Sequence, residues 1–219
     1  MTDASIRTDM VAACKKLEAD GLNRGASGNI SVRDGTHMLI TPTAVAYDVI
    51  APGMMARTRL DDPDGGWEGP NAPSSEWRFH RDILRARADI NAVVHTHAPW
   101  CTVLAVARRP IPAIHYMIAA FGGPVIRVAD YARYGTQDLS DNIIAAMQGR
   151  NGCLMANHGM VVGGPDLTRA LWLAGELEAL AHQYFHALTI GGGHVLTDAQ
   201  IEETALGFQS YGVRAGGSA

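Results

Sequence analysis

The chain has 219 residues, enough for one sizeable α/β domain, and 47% hydrophobic with 18% charged side chains is the profile of a soluble globular protein. A net charge of -4, with no block of Lys and Arg, argues against a nucleic-acid groove or an anionic membrane surface, so a phosphate would be bound locally by backbone N–H groups. Asp3, Arg7 and Asp9 interrupt the N-terminal stretch, no apolar run nears the roughly 20 residues of a membrane span, and 3 widely spaced cysteines (Cys14, Cys101, Cys153) read as reduced thiols. A cytoplasmic protein without a signal peptide is expected.

Ile6, Met10, Val11, Cys14 and Leu17 recur at helical spacing before Gly21, so the chain opens with an amphipathic helix. Short extended runs follow at Ile30–Val32, His37–Ile40 and Met55–Leu60, bounded by Gly, Asp and Pro. A turn-rich loop, residues 61–74, leads to a helix over 75–88 with Trp77, Ile83 and Leu84 as buried candidates. Residues 90–96 read as a strand, Pro99 opens a helix that stops before Pro110, and 124–129 is a further strand. A short helix is predicted over 140–148. Cys153–Ala156 and Met160–Val162 flank Asn157-His158-Gly159 in a hairpin-like arrangement. The long helix 167–189 is closed by Gly191-Gly192-Gly193, and Thr197 with Gln200 forms a capping box for a last helix. Several strands lie too close together for helical crossovers. The expected fold is a single α/β domain over residues 1–219 with a mostly antiparallel sheet.

His95-Thr96-His97 ends an apolar strand, and side chains at i and i+2 share a face, so both imidazoles can reach one ion. The plainer reading is a pair of half-exposed strand-end histidines. His158 lies at a tight turn, where it is also compatible with simple turn chemistry. Three histidines with one coordination position open describe a catalytic rather than a structural metal site. Ser74-Ser75-Glu76 opens a helix and has two readings: Ser75 as N-cap with an acid in the first turn, or a phosphate site of hydroxyls and N–H groups. Gly25–Asn29 is an ordinary loop or an anion nest. His182 and His186 share a helical face, but Gln183 stands where a zinc protease needs Glu, so they read as packing. Cys101 has no flanking His in a nucleophile pattern.

Four ordered motifs carry a resemblance: Ser74-Ser75-Glu76-Trp77-Arg78-Phe79-His80, Ala92-Val93-Val94-His95-Thr96-His97, the stretch from Ile111 to Ala120, and Asn157-His158-Gly159. Together they resemble the class II aldolase/adducin family, nearest the L-fuculose-1-phosphate aldolase branch, over almost the whole chain. The resemblance implies a three-layer α/β/α fold, a homotetramer of fourfold symmetry, and Zn2+ at a subunit interface, with Mn2+ or Co2+ as possible substitutes. By position, it makes His95, His97 and His158 metal ligands, and Glu76 the base and an occasional ligand. Gly28, Asn29, Thr43, Ala44, Ser74 and Ser75 would line a phosphate pocket. Tyr116 from a neighbouring subunit would serve the departing aldehyde, and Tyr211 would close over the site. Ala44 departs from the Gly, and Tyr134 from the Phe, of close relatives.

The implied activity is metal-dependent cleavage of a ketose 1-phosphate, L-fuculose 1-phosphate or a similar deoxy sugar phosphate, to dihydroxyacetone phosphate and an aldehyde. A 5-deoxy- or 5-methylthio-ribulose 1-phosphate is the alternative substrate. A pentulose-phosphate 4-epimerase, which typically has Asp after Ser-Ser, and a sugar-phosphate dehydratase are rival enzymes. A non-catalytic adducin-like scaffold lacks the ligands present here.

Overall fold

The computed structural model describes residues 3–210. Helix α1 (Asp3–Ala19) buries Ile6, Met10, Ala13, Cys14 and Leu17, the spacing that aligns side chains along one stripe. Strands β1 (Asn29–Asp34) and β2 (His37–Ile40) form a hairpin around Gly35, and β3 (Ala56–Arg59) and β4 (Trp67–Glu68) extend it outward. Helix α2 (Trp77–Ala86) leads to β5 (Ala92–Thr96), and α3 (Pro99–Val106) carries its proline at the helix start, where a missing N–H costs nothing.

After α3 come β6 (Ile111–Pro112), a 3₁₀ helix (Tyr116–Phe121), β7 (Val125–Ile126), β8 (Val128–Ala129) and α4 (Gln137–Ala146). The chain continues through β9 (Gly152–Met155), β10 (Gly159–Gly164), α5 (Leu167–Thr189) and α6 (Asp198–Ser210).

Eight strands form one sheet in the order β4-β3-β2-β1-β5-β10-β9-β8. Every neighbouring pair is antiparallel except β8 with β9. Alternation along the strands sorts side chains to two faces. Ile30, Val32, Leu39, Val94, Met160 and Val162 pack beneath α1, α3 and α5. Met38, Ile40, Val93, Cys153, Met155 and Val161 pack beneath α2 and α4. The result is the expected three-layer α/β/α arrangement. Among the described residues, no helix is long and apolar enough to cross a membrane.

Several boundaries differ from the sequence-based expectation. The extended stretch 124–129 splits, because β7 pairs with β6 in a separate two-stranded sheet while β8 joins the main one. Helix α4 begins at Gln137 rather than Ser140, with Thr136 accepting from the Leu139 N–H as N-cap. Strand β4 lies within the turn-rich loop. Both β4 and the Tyr116–Phe121 helix were absent from the periodicity reading, being short elements held by tertiary contacts. The capping box is present: Gln200 Oε1 accepts from the Thr197 N–H at 2.9 Å, and Thr197 Oγ1 accepts from the Gln200 N–H at 3.4 Å.

Candidate active site

Strand alternation puts Val93 and His95 on the face covered by α2, and His97 continues that direction just past the strand. His95 sits at the middle of the sheet, opposite Asn29 of β1 and Val161 of β10. The antiparallel β9–β10 pair then delivers His158, which immediately precedes β10. Asn157 takes φ 55, a left-handed turn conformation that Asn tolerates better than most residues. Gly159 is required by space: a Cβ there would lie 2.5 Å from the Thr96 carbonyl oxygen and 3.0 Å from the His97 ring.

The three imidazoles converge. One ligand nitrogen from each of His95, His97 and His158 lies within 4.8 Å of the others, and their rings are mutually steep, 72° to 77° apart. The His95 Nδ1–H donates to the Met160 carbonyl at 2.8 Å, which turns the Nε2 lone pair toward the cluster.

Glu76 completes the constellation. The expected Ser75 N-cap is not realised. Helix α2 begins two residues later, with Glu76 at its threshold, and Ser74 Oγ accepts from the Glu76 N–H at 3.3 Å. The Glu76 side chain therefore turns inward. Its Oε2 lies 3.2 Å from His95 Nε2 and its Oε1 3.3 Å from His158 Nε2.

Burial opposes ionisation of Glu76, but its interactions with the adjacent His95 and His158 imidazoles and a hydrogen bond from Asn29 outweigh it and hold the carboxyl well below its usual range. Burial and the neighbouring His95 push His97 and His158 down to about 4, so both are neutral near pH 7 and able to ligate.

Glu76 Oε1, His95 Nε2 and His97 Nε2 are buried and have no hydrogen-bond partner. Each such group costs about 1–3 kcal/mol when left unsatisfied, and native proteins rarely leave several at one point. A cation bound among them removes that cost for all at once. This donor set, imidazole nitrogen with one carboxylate, suits a divalent transition metal.

Two of the predicted phosphate residues, Thr43 and Ala44, lie on a turn joined to the segment before Glu76. Thr43 N–H donates to the Ala72 carbonyl and Ser74 N–H to the Thr41 carbonyl, which ties the 41–44 turn to the start of α2. Gly28 packs against the His95 carbonyl, where a Cβ would come within 2.8 Å. The Asn29 side chain is buried and donates to Glu76 Oε2 at 2.9 Å. A cleft of about 370 Å³ opens over Glu76, His97 and His158, flanked by Ser75, Tyr131 and Tyr134. Tyr131 and His80 are contributors to this region to which the sequence reading gave no role.

Ala44 has φ 56, the left-handed region where a Cβ is strained. Ala44→Gly should raise stability by about 0.5–1 kcal/mol, the strain relieved outweighing the added unfolded-chain entropy. Urea denaturation is the check, and a lower midpoint for Ala44→Gly would contradict the strain.

Tyr116 does not join the histidines within its own chain. It is half exposed and borders a different cleft, beside Trp172 and Phe208. Tyr211 lies outside the described residues. His182 and His186 are exposed and pack around Trp100, the packing role expected of them. All three cysteines are buried, and burial pushes the Cys14 and Cys153 thiols up to about 12, far from nucleophilic.

Comparison with known proteins agrees with this geometry. Residues 8–185 match the family described as Class II Aldolase and Adducin N-terminal domain. The chain is 46% identical over 208 residues, 95% of its length and 93% of the relative's, to a 5-methylthioribulose-1-phosphate/5-deoxyribulose-1-phosphate aldolase of Rhodospirillum rubrum. It is 42% identical over 206 residues, 94% of each protein, to an L-fuculose phosphate aldolase of Escherichia coli K12. The solved structure of an L-fuculose 1-phosphate aldolase superposes with TM-score 0.91 at 37% identity, covering 95% of this chain and 98% of that one. A histidine triad on an antiparallel sheet, a buried glutamate beside it and a match over most of the sequence lead to one conclusion: the chain belongs to the class II aldolase and adducin family.

Proposed function

We propose that the protein is a metal-dependent aldehyde-lyase that cleaves a ketose 1-phosphate into dihydroxyacetone phosphate and an aldehyde. The observation that carries this reading is the convergence of His95, His97 and His158 on Glu76, whose Oε1 is buried and without a hydrogen-bond partner. A scaffold protein has no use for so costly an arrangement, which supports an enzyme over an adducin-like structural role.

His95, His97 and His158 would hold the ion, Zn2+ in the first instance with Mn2+ or Co2+ as substitutes, and Glu76 would be an occasional fourth ligand. When bound, such an ion supplies Lewis acidity toward charge developing on the three-carbon fragment. Gly28, Asn29, Thr43, Ala44, Ser74 and Ser75 would seat the phosphate at the end of the cluster, anchoring the substrate far from the breaking bond. As the C3–C4 bond breaks, its electron pair stays on C3, the C4 hydroxyl proton leaves, and C4 becomes the aldehyde carbon. Tyr116 of a neighbouring subunit would accept the C4 hydroxyl proton and pass it to solvent, and Glu76, having taken up a proton from solvent, would deliver it to C3, so that no net proton is gained or lost. The half-exposed Tyr116, remote from its own chain's cleft, supports a shared site in a homotetramer. Tyr211 would close over the bound substrate. Residues 1–219 would act as one domain in the cytoplasm.

Two substrates fit. L-Fuculose 1-phosphate is favoured by the 37% identical structural neighbour, and a 5-deoxy- or 5-methylthio-ribulose 1-phosphate by the 46% identical Rhodospirillum relative. Release of dihydroxyacetone phosphate from a panel of these compounds tests the reading. Turnover of at least one is expected, and the highest kcat/KM identifies the aldehyde half. No release from any member, with 4-epimerisation of a pentulose phosphate instead, would replace the aldolase reading.

A further inference from the structure

Behind Glu76 runs a chain of buried polar side chains from Asn29 through His80 to Ser31. Asn29 Nδ2 donates to Glu76 Oε2 at 2.9 Å, Asn29 Oδ1 lies 2.5 Å from His80 Nε2, and His80 Nδ1 lies 2.8 Å from Ser31 Oγ. All four residues are buried, His80 and Ser31 completely. Long-range pairing assembles them: Asn29 and Ser31 share one face of β1, and His80 comes from the second turn of α2.

Chemistry fixes the direction of every bond in this chain. A carboxylate only accepts, so Asn29 must turn its amide NH₂ to Glu76 and its carbonyl oxygen to His80. His80 Nε2 must then carry a proton to donate to that oxygen, and Nδ1 is left to accept from the Ser31 hydroxyl. His80 is therefore a neutral donor locked in one tautomer. Remove its Nε2–H and the buried Asn29 Oδ1 loses its donor, so that the bond to Glu76 alone is left to hold the amide in place.

The consequence falls on the two oxygens of Glu76. Oε2 is occupied as an acceptor, whereas Oε1 has no hydrogen-bond partner. We propose that His80 is a positioning residue that acts through Asn29, holding Glu76 Oε2 as a permanent acceptor so that Oε1 is the oxygen that carries the proton. This rests on the reading of Glu76 as the proton-transfer group in the aldolase.

Two amide substitutions dissect the histidine, because each mimics one of its nitrogens. Gln places an amide where Nε2 was and can still donate to Asn29. Asn reaches only the Nδ1 position, toward Ser31. The measurements are exchange of the C3 proton of dihydroxyacetone phosphate in deuterated water, bound metal per subunit, and kcat and KM for cleavage. His80→Gln is expected to exchange within about threefold of the parent. His80→Asn is expected to lose about 10–100-fold in exchange and kcat, the scale of a misplaced catalytic group, with KM and metal content unchanged.

Equal exchange in His80→Asn and the parent overturns the proposal. So does an equal loss in both variants, or loss of metal in His80→Asn, either of which makes His80 a packing element of the site. In the Asn29→Ala background, His80→Asn should cost nothing further, and a full additional loss there would contradict action through Asn29. An unsubstituted protein that fails to exchange dihydroxyacetone phosphate at all would instead count against the aldolase reading itself.

Discussion

Glu76→Gln should lose about 10²–10⁴-fold in cleavage rate, the range for removal of a general acid–base group, while binding metal nearly as well as the parent. The side chain keeps its length and one carbonyl oxygen, and it sits at the threshold of α2 rather than in the helix interior, so the fold has little reason to change. What disappears is the capacity of Oε1 to take and return a proton. The variant should therefore also fail to exchange the C3 proton of dihydroxyacetone phosphate, a partial reaction that needs no aldehyde. Tyr116→Phe should behave in the opposite way, exchanging at the parental rate while cleaving slowly, if its proposed role is on the aldehyde side alone. If Tyr116 works across an interface, tetramers mixed from Glu76→Gln and Tyr116→Phe subunits should recover part of the activity that each homogeneous variant lacks. Exchange at the parental rate in Glu76→Gln would transfer the proton-handling role to another group. Absence of recovery in verified mixed tetramers, or full activity in a monomer, would remove Tyr116 from the shared site.

Removal of the ion should abolish cleavage, and Zn2+, Mn2+ or Co2+ should restore some of it. The physical basis is the donor set: the buried nitrogens of His95 and His97 and Oε1 of Glu76 have no hydrogen-bond partner among the protein's own groups. His95→Ala should lower bound metal well below one ion per subunit, because two imidazoles form a much weaker site than three. His95 is also the most constrained of the three, fully buried, fixed by the Met160 carbonyl and touched edge-on by Phe79. Its loss leaves a void that the sheet centre has no means of filling, so a fall in melting temperature should accompany the loss of metal. Full activity in a preparation shown by elemental analysis to be metal-free would end the metal-dependent mechanism.

Local order accounts for what was legible in the residues alone. The helical stripe of α1, the proline start of α3, the capping box at Thr197 and the pairing of His95 with His97 on one face all depend on neighbours within a few positions. The family motifs extended this to the grouping of His95 and His97 with His158 and Glu76, because they record contacts that periodicity does not contain. Failures occurred where a distant partner chose between local options. Residues 124–129 look like one strand, yet β6 and β9 compete for its two halves. Ser75 is a good N-cap by type, but the bond from the Ser74 N–H to the Thr41 carbonyl sets the turn so that Glu76 enters the helix threshold instead.

The residues thus determined by themselves which chemical groups were available, and which of them lay on a common face. Only the tertiary structure decided that His158 meets His95. That meeting requires β10 to pair with β5 in the register that sets Val161 opposite His95, and a slip of one residue would turn the alternation of β10 over. The same holds for Asn29. Its amide is equally suited to a phosphate or to Glu76, and the β1–β5 register, placing it directly opposite His95, gave it to the glutamate.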